Sequence, residues 1–120
     1  MYAIWLYRGV NMLKKLYSCH AKCDERTLIS YNTRLFWMNS ERSYAMLWRY
    51  PSSTSKYHIR KYADWLEKRG HKKYADVVRL LYNSCRDNKQ NVAFYDIPNK
   101  CMYYLTPLEF KYWARELENT

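Results

Sequence analysis

The chain has 120 residues, with 21 Lys and Arg against 11 Asp and Glu for a net charge of +10, and 14 Tyr, five Trp and three Phe beside only two Gly and three Pro. Its length fits one domain spanning residues 1–120, and the scarcity of Gly and Pro excludes collagen-like, disordered and turn-dense all-β chains. No apolar run approaches the roughly 18 residues needed to span a bilayer, and the positive balance favours polyanionic partners: nucleic acid, a nucleoprotein or an acidic protein surface.

In chain order, Tyr2 to Tyr7 (YAIWLY) is a short aromatic and aliphatic run that suits strand or buried helix, and we read it as a strand. From Asn11, Met12, Leu13, Leu16 and Tyr17 fall at helical spacing, so a first helix is expected, fraying near His20 to Lys22. Asp24 offers a cap for a further helix with a stripe of Leu28, Tyr31, Leu35 and Met38. Asn39-Ser40 offers another cap, for a helix from Glu41 to Tyr50 that must end before Pro51.

Lys56 to Cys85 carries the clearest pattern. Ile59, Tyr62, Ala63 and Leu66 share one helical face, and after Gly70 the residues Tyr74, Val78, Leu81 and Cys85 repeat it. Gly70 is suited to the left-handed residue that ends the first helix, and Thr54 or Ser55 to its start. Beyond the polar stretch Arg86 to Gln90 the period changes from 3.6 to 2. Val92 to Leu105 therefore reads as a β-hairpin turning at Ile97 to Lys100. Thr106-Pro107-Leu108-Glu109 is a capping box with Pro at the first helical position, opening a last helix whose Leu108, Phe110, Tyr112, Trp113 and Leu117 would dock it. The expected fold is α+β: a mainly helical single domain of about five or six helices, with a C-terminal β-hairpin and a short N-terminal strand.

The cysteines are Cys19, Cys23, Cys85 and Cys101. Cys19 and Cys23 stand at i, i+4, which would bind zinc only if Cys85 and Cys101 completed the set; the usual ligand pair is C-x₂-C, so thiols packed as small apolar groups is the preferred reading, with no metal and no cofactor. The N-terminus lacks the features of a signal peptide, so a reduced cytoplasmic protein is expected. His20, His58 and His71 read as surface or capping residues. Lys-Tyr-Ala-Asp recurs at Lys61 and Lys73 without any wider repeat. No nucleophile with a base, phosphate loop or metal motif stands out. Asp64, Glu67 and Asp76 read as ion-pair partners, Asp64 with Lys68.

Binding is therefore the expected activity. Arg49, Tyr57, Arg60, Lys61, Trp65, Lys68, Arg69, Lys72, Lys73 and Arg79 interleave cations with aromatic rings over about thirty residues, a composition that can neutralise phosphates or anchor a protein interface. Two alternatives stand beside it. One is a winged helix-turn-helix regulator that sends Lys72, Lys73, Asp76 and Arg79 to a DNA groove with the Val92 to Leu105 hairpin as wing; the other is a nuclease or transferase with a scattered site.

The segment Tyr62 to Gly70, YADWLEKRG, followed by YADVVRLL, resembles an ADWLE-x-x-G helical segment found in small proteins of bacteriophages and some bacterial genomes. The resemblance covers about a fifth of the chain. It implies a phage or mobile-element protein of the host-takeover or anti-defence kind, which binds and blocks a host protein or a nucleoprotein complex such as a CRISPR effector.

Overall fold

The computed structural model describes residues 14–16, 20–48, 53–88 and 92–118. Among these residues there are seven strands, β1 (Lys14–Lys15), β2 (Ala21–Cys23), β3 (Thr27–Ser30), β4 (Thr33–Met38), β5 (Tyr44–Trp48), β6 (Val92–Asp96) and β7 (Cys101–Tyr104). They form one antiparallel sheet in sequence order. Helices α1 (Ser53–Lys68) and α2 (Lys72–Asn88) are inserted between β5 and β6, and α3 (Pro107–Glu118) follows β7.

The expectation of a mainly helical domain with five or six helices is therefore corrected to a sheet with three described helices. Where helices were expected from Asp24 to Met38 and from Glu41 to Tyr50 the chain forms β3, β4 and β5, and the first expected helix gives way to β1 and β2. The cause is burial. All four residues of β3 and five of six in β4 are buried, so the apolar run loses the two-residue alternation by which a half-exposed strand is recognised. A β-bulge adds to the confusion: Leu28 faces Phe36 while Ile29 faces Arg34, which leaves Leu35 as an extra residue and shifts the apolar spacing on β4 by one.

The turns are equally concealed, because non-glycine residues occupy their left-handed positions. Tyr31 has φ 56° in the β3–β4 turn and Arg42 has φ 58° in the β4–β5 turn. Asn39, read as a helix cap, does the same chemistry in a turn: its Oδ1 accepts from the backbone N–H of Ser43 and Tyr44, each at 2.9 Å. The suggested strand Tyr2 to Tyr7 lies outside the described residues.

The other expected elements are found. Gly70 has φ 85°, the His71 N–H donates to the Leu66 carbonyl at 2.9 Å and the Gly70 N–H to Glu67 at 3.0 Å, which is a Schellman ending. α1 begins at Ser53, so Thr54 and Ser55 lie inside the helix rather than capping it. The capping box closes both ways: the Thr106 N–H donates to Glu109 Oε1 at 2.9 Å and the Glu109 N–H to Thr106 Oγ1 at 3.2 Å.

The sheet is sandwiched. α1 lies over β3 and β4 and α2 over β5 and β6. The helices bury Ile59, Tyr62, Leu66, Val78 and Leu81 against Leu28, Phe36, Leu47 and Ala93. The alternate residues Trp37, Met46, Val92 and Phe94 point to the other face and meet Phe110 and Trp113 of α3. Leu108 and Tyr112, expected in that contact, are instead 78% and 59% exposed.

Candidate functional site

The α1–α2 pair carries the expected binding residues, and the structure sorts them into three groups. Arg49 lies outside the described residues.

The first group is neutralised. Arg79 Nη1 donates to Glu67 Oε1 at 2.6 Å and to Asp76 Oδ1 at 3.3 Å, and Nη2 donates to Asp64 Oδ1 at 3.1 Å. Glu67 above all, with Asp64 and Asp76, raises the guanidinium's already high pKa further, so this cation is held by carboxylates from both helices. Lys72 pairs with Asp76 at 3.3 Å. The acidic residues are ion-pair partners, with Arg79 in place of the expected Lys68 for Asp64.

The second group is the turn between the helices, where Lys68, Arg69 and Lys73 are exposed beside the paired Lys72. Lys73 Nζ lies 5.9 Å from the centroid of the Tyr74 ring, which Arg42 from the β4–β5 turn also covers at 4.6 Å.

The third group is a stripe along the flank of α1. Tyr57, Lys61 and Trp65 follow at intervals of four along α1, each step advancing about 6 Å with about 40° of drift, and Arg69, the next at that interval, stands just past the helix end at Lys68, so the four wind as a stripe around the flank. Lys61 Nζ sits 5.4 Å from the Tyr57 ring centroid and Arg69 4.4 Å from the Trp65 ring, while Tyr62 stacks with Trp65 at 6.1 Å. Asp64 and Glu67 lie around the helix from this line, turned to Arg79. Arg60 falls on the side of α1 that faces α2, 6.0 Å from the Tyr57 ring centroid.

Beside the stripe stands a cluster that sequence spacing did not reveal. His20 stacks on Tyr31 at 4.7 Å, Tyr31 lies 6.3 Å from His58, and Ser30 Oγ and His58 Nδ1 share a hydrogen bond of 2.7 Å. Pairing of β2 with β3 brings His20 to Tyr31, and packing of α1 on β3 brings in His58 from 28 residues away, so His58 is a core residue and not the surface or cap residue expected. A hydrogen-bonded Ser and His is the geometry of a nucleophile with its base. Here Ser30 is 2% and His58 3% exposed, so no substrate reaches the hydroxyl and the pair is a satisfied buried contact. Burial, with help from His20, pushes the His58 pKa below its ordinary value.

Tyr62 is fully buried with its hydroxyl donating to the Asp24 carbonyl at 2.8 Å, and burial raises its pKa well above the ordinary value. Cys23 and Cys85 lie in the buried core and Cys101 is exposed at the start of β7, while Cys19 is outside the described residues. No group of three metal-ligating side chains occurs among the described residues, and none of the described helices is long and apolar enough to cross a membrane. Compared with known proteins, the chain matches no family model, no curated protein and no solved structure.

Proposed function

We propose that this is a non-catalytic binding protein that docks the α1 stripe and the adjoining turn onto an acidic surface of a host protein or nucleoprotein complex and blocks it. The observation that carries this reading is the alternation Tyr57, Lys61, Trp65, Arg69, in which cations lie over rings. A guanidinium lying over an indole ring keeps donors for a carboxylate or phosphate and loses little entropy on binding, and Trp, Tyr and Arg are the residues that dominate protein interfaces. Stacking of nucleic-acid bases is less favoured, because Arg69 and Tyr62 already use the Trp65 ring, and Lys61 and Arg60 the Tyr57 ring; a base would displace contacts worth roughly 0.5–1 kcal/mol each.

The winged-helix reading has less support. β6 is paired to β5 within the sheet, so the β6–β7 hairpin does not project as a wing, and Arg79 is engaged with three carboxylates. The ADWLE-x-x-G resemblance adds a phage or mobile-element setting of the anti-defence kind, with action in the host cytoplasm.

The test is affinity capture from host lysate before and after nuclease treatment. A protein partner retained after nuclease, and bound at least about 30-fold more weakly by Trp65→Ala combined with Arg69→Glu, is the expected result. Loss of every partner with nuclease, together with a steep fall of log K with log salt on free DNA or RNA, overturns it in favour of direct nucleic-acid binding.

A further inference from the structure

The two edges of the sheet are built differently. Among the described residues the sheet begins with β1, which is two lysines long with Lys15 exposed, and ends with β7, which carries no charge, no proline and no bulge. A very short strand bearing lysines protects an open edge against pairing, and β7 lacks every such device. Cys101 to Leu108, CMYYLTPL, is also the longest stretch without a charged side chain in a sequence of net charge +10.

The pairing of β7 with β6 fixes what its outer edge offers. The Leu105 N–H donates to the Val92 carbonyl at 3.0 Å, so by the alternation of an antiparallel ladder Cys101 and Tyr103 turn their backbone groups to β6 as well, and Met102 turns its N–H and C=O outward. The side chains alternate between the two faces. Tyr103 is half exposed and lies 6.2 Å from Phe94 on the α3 face, while Met102 packs into the core under α1 and α2 and the Tyr104 hydroxyl shares a hydrogen bond with Ser84 Oγ of α2.

We propose that β7 pairs with the β7 of a second copy, antiparallel about a two-fold axis normal to the sheet, so that two sheets join edge to edge. Opposite residues of an antiparallel pair share a face, so Tyr103 of one copy comes opposite Cys101 or Tyr103 of the other on the α3 side, and Met102 contributes its outward backbone groups. Two features make the occupant a second copy. The pairing of β7 with itself is self-complementary and closes after two chains, whereas β7 laid on β1 would repeat without end and meet the β1 lysines. Copies that each carry a charge of +10 repel one another, and the uncharged β7 lets them approach with no like charges facing across the strand pair. A four-residue strand with two part-exposed tyrosines is a contact at the small end of specific interfaces, so the dimer depends on concentration. α1 lies over β3 and β4, so this contact and the one proposed for the α1 stripe stand or fall separately.

The test is sedimentation equilibrium of the full chain from about 1 to 300 µM, in which the mass should rise from 14.8 kDa toward twice that value. Tyr103→Lys, which sets a cation across the seam from the other copy, should weaken association at least about tenfold. Met102→Pro, which removes the outward N–H and leaves the bonds to β6 in place, should do the same. Tyr103→Lys, at an exposed position, decides the outcome where Met102→Pro melts below the wild type. A chain that stays monomeric at the top of the concentration range overturns the proposal and leaves the edge to a strand of another protein. A dimer that Tyr103→Lys leaves as tight as the wild type also overturns it.

Discussion

His58 shows how a single side chain changes meaning once it is placed. It sits in α1 with Ser30 on its Nδ1, His20 and Tyr31 packed from the β1–β2 and β3–β4 turns, and Tyr57 and Lys61 beside it on the helix. Burial and the nearby His20 lower its pKa, so the unfolded chain takes up a proton at higher pH than the folded one. The stabilising effect of a neutral His58 is then fully present above about pH 6.5 and is lost as pH falls through the folded value. Thermal melts should show the melting temperature declining from neutral pH toward pH 5. His58→Asn, which keeps a polar group where Nδ1 lies, should flatten that decline; an unchanged slope would show that other groups set it. Nothing in the neighbourhood of His58 in sequence announces this, since its hydrogen-bond partner is 28 residues away.

At the scale of elements, the helical hairpin is the piece most completely written in local sequence. Its apolar faces, its break and its ending were all readable, because Gly70 is one of only two glycines and stands where a helix has to stop. A Cβ built on Gly70 meets nothing within 4 Å, so the cost of Gly70→Ala is purely that of holding an L-residue at φ 85°. A loss of about 1–2 kcal/mol in denaturant unfolding is expected, and less for Gly70→Asn, because asparagine tolerates the left-handed region. Equal stability of wild type and Gly70→Ala would mean that the turn relaxes to another conformation. The ion-pair hub was not readable to the same degree. Arg79 reaches Glu67 and Asp64 across 12 and 15 residues, a pairing set by how the two helices lie together and not by spacing along either one.

For the whole molecule, stability rests on a sheet covered on both faces, and the two coverings differ. Phe36 and Leu47 are fully buried between the sheet and the α1–α2 pair, and Phe36→Ala or Leu47→Ala should cost about 2–5 kcal/mol by chemical denaturation, a large part of the roughly 5–15 kcal/mol available to a domain. Leu108→Ala and Tyr112→Ala, on the exposed side of α3, should fall within about 0.5 kcal/mol of wild type. A cost for Tyr112→Ala as large as that for Phe36→Ala would mean that α3 is covered in solution. By itself the sequence determined the α1–α2 pair with its Gly70 break, the β6–β7 hairpin and the Thr106 capping box, because each depends on neighbours within a few residues. Only the tertiary structure decided that residues 21 to 48 are strands, since burial on both faces erased their alternation, the Leu35 bulge shifted their spacing, and Tyr31 and Arg42 took turn positions usually marked by glycine. The same holds for the surface: the cation-rich composition was plain from the sequence, but which cations carry the helix-to-helix ion pairs depended on the packing of α1 against α2, which draws Asp64, Glu67 and Asp76 onto Arg79, while Lys61 and Arg69 lie over the Tyr57 and Trp65 rings.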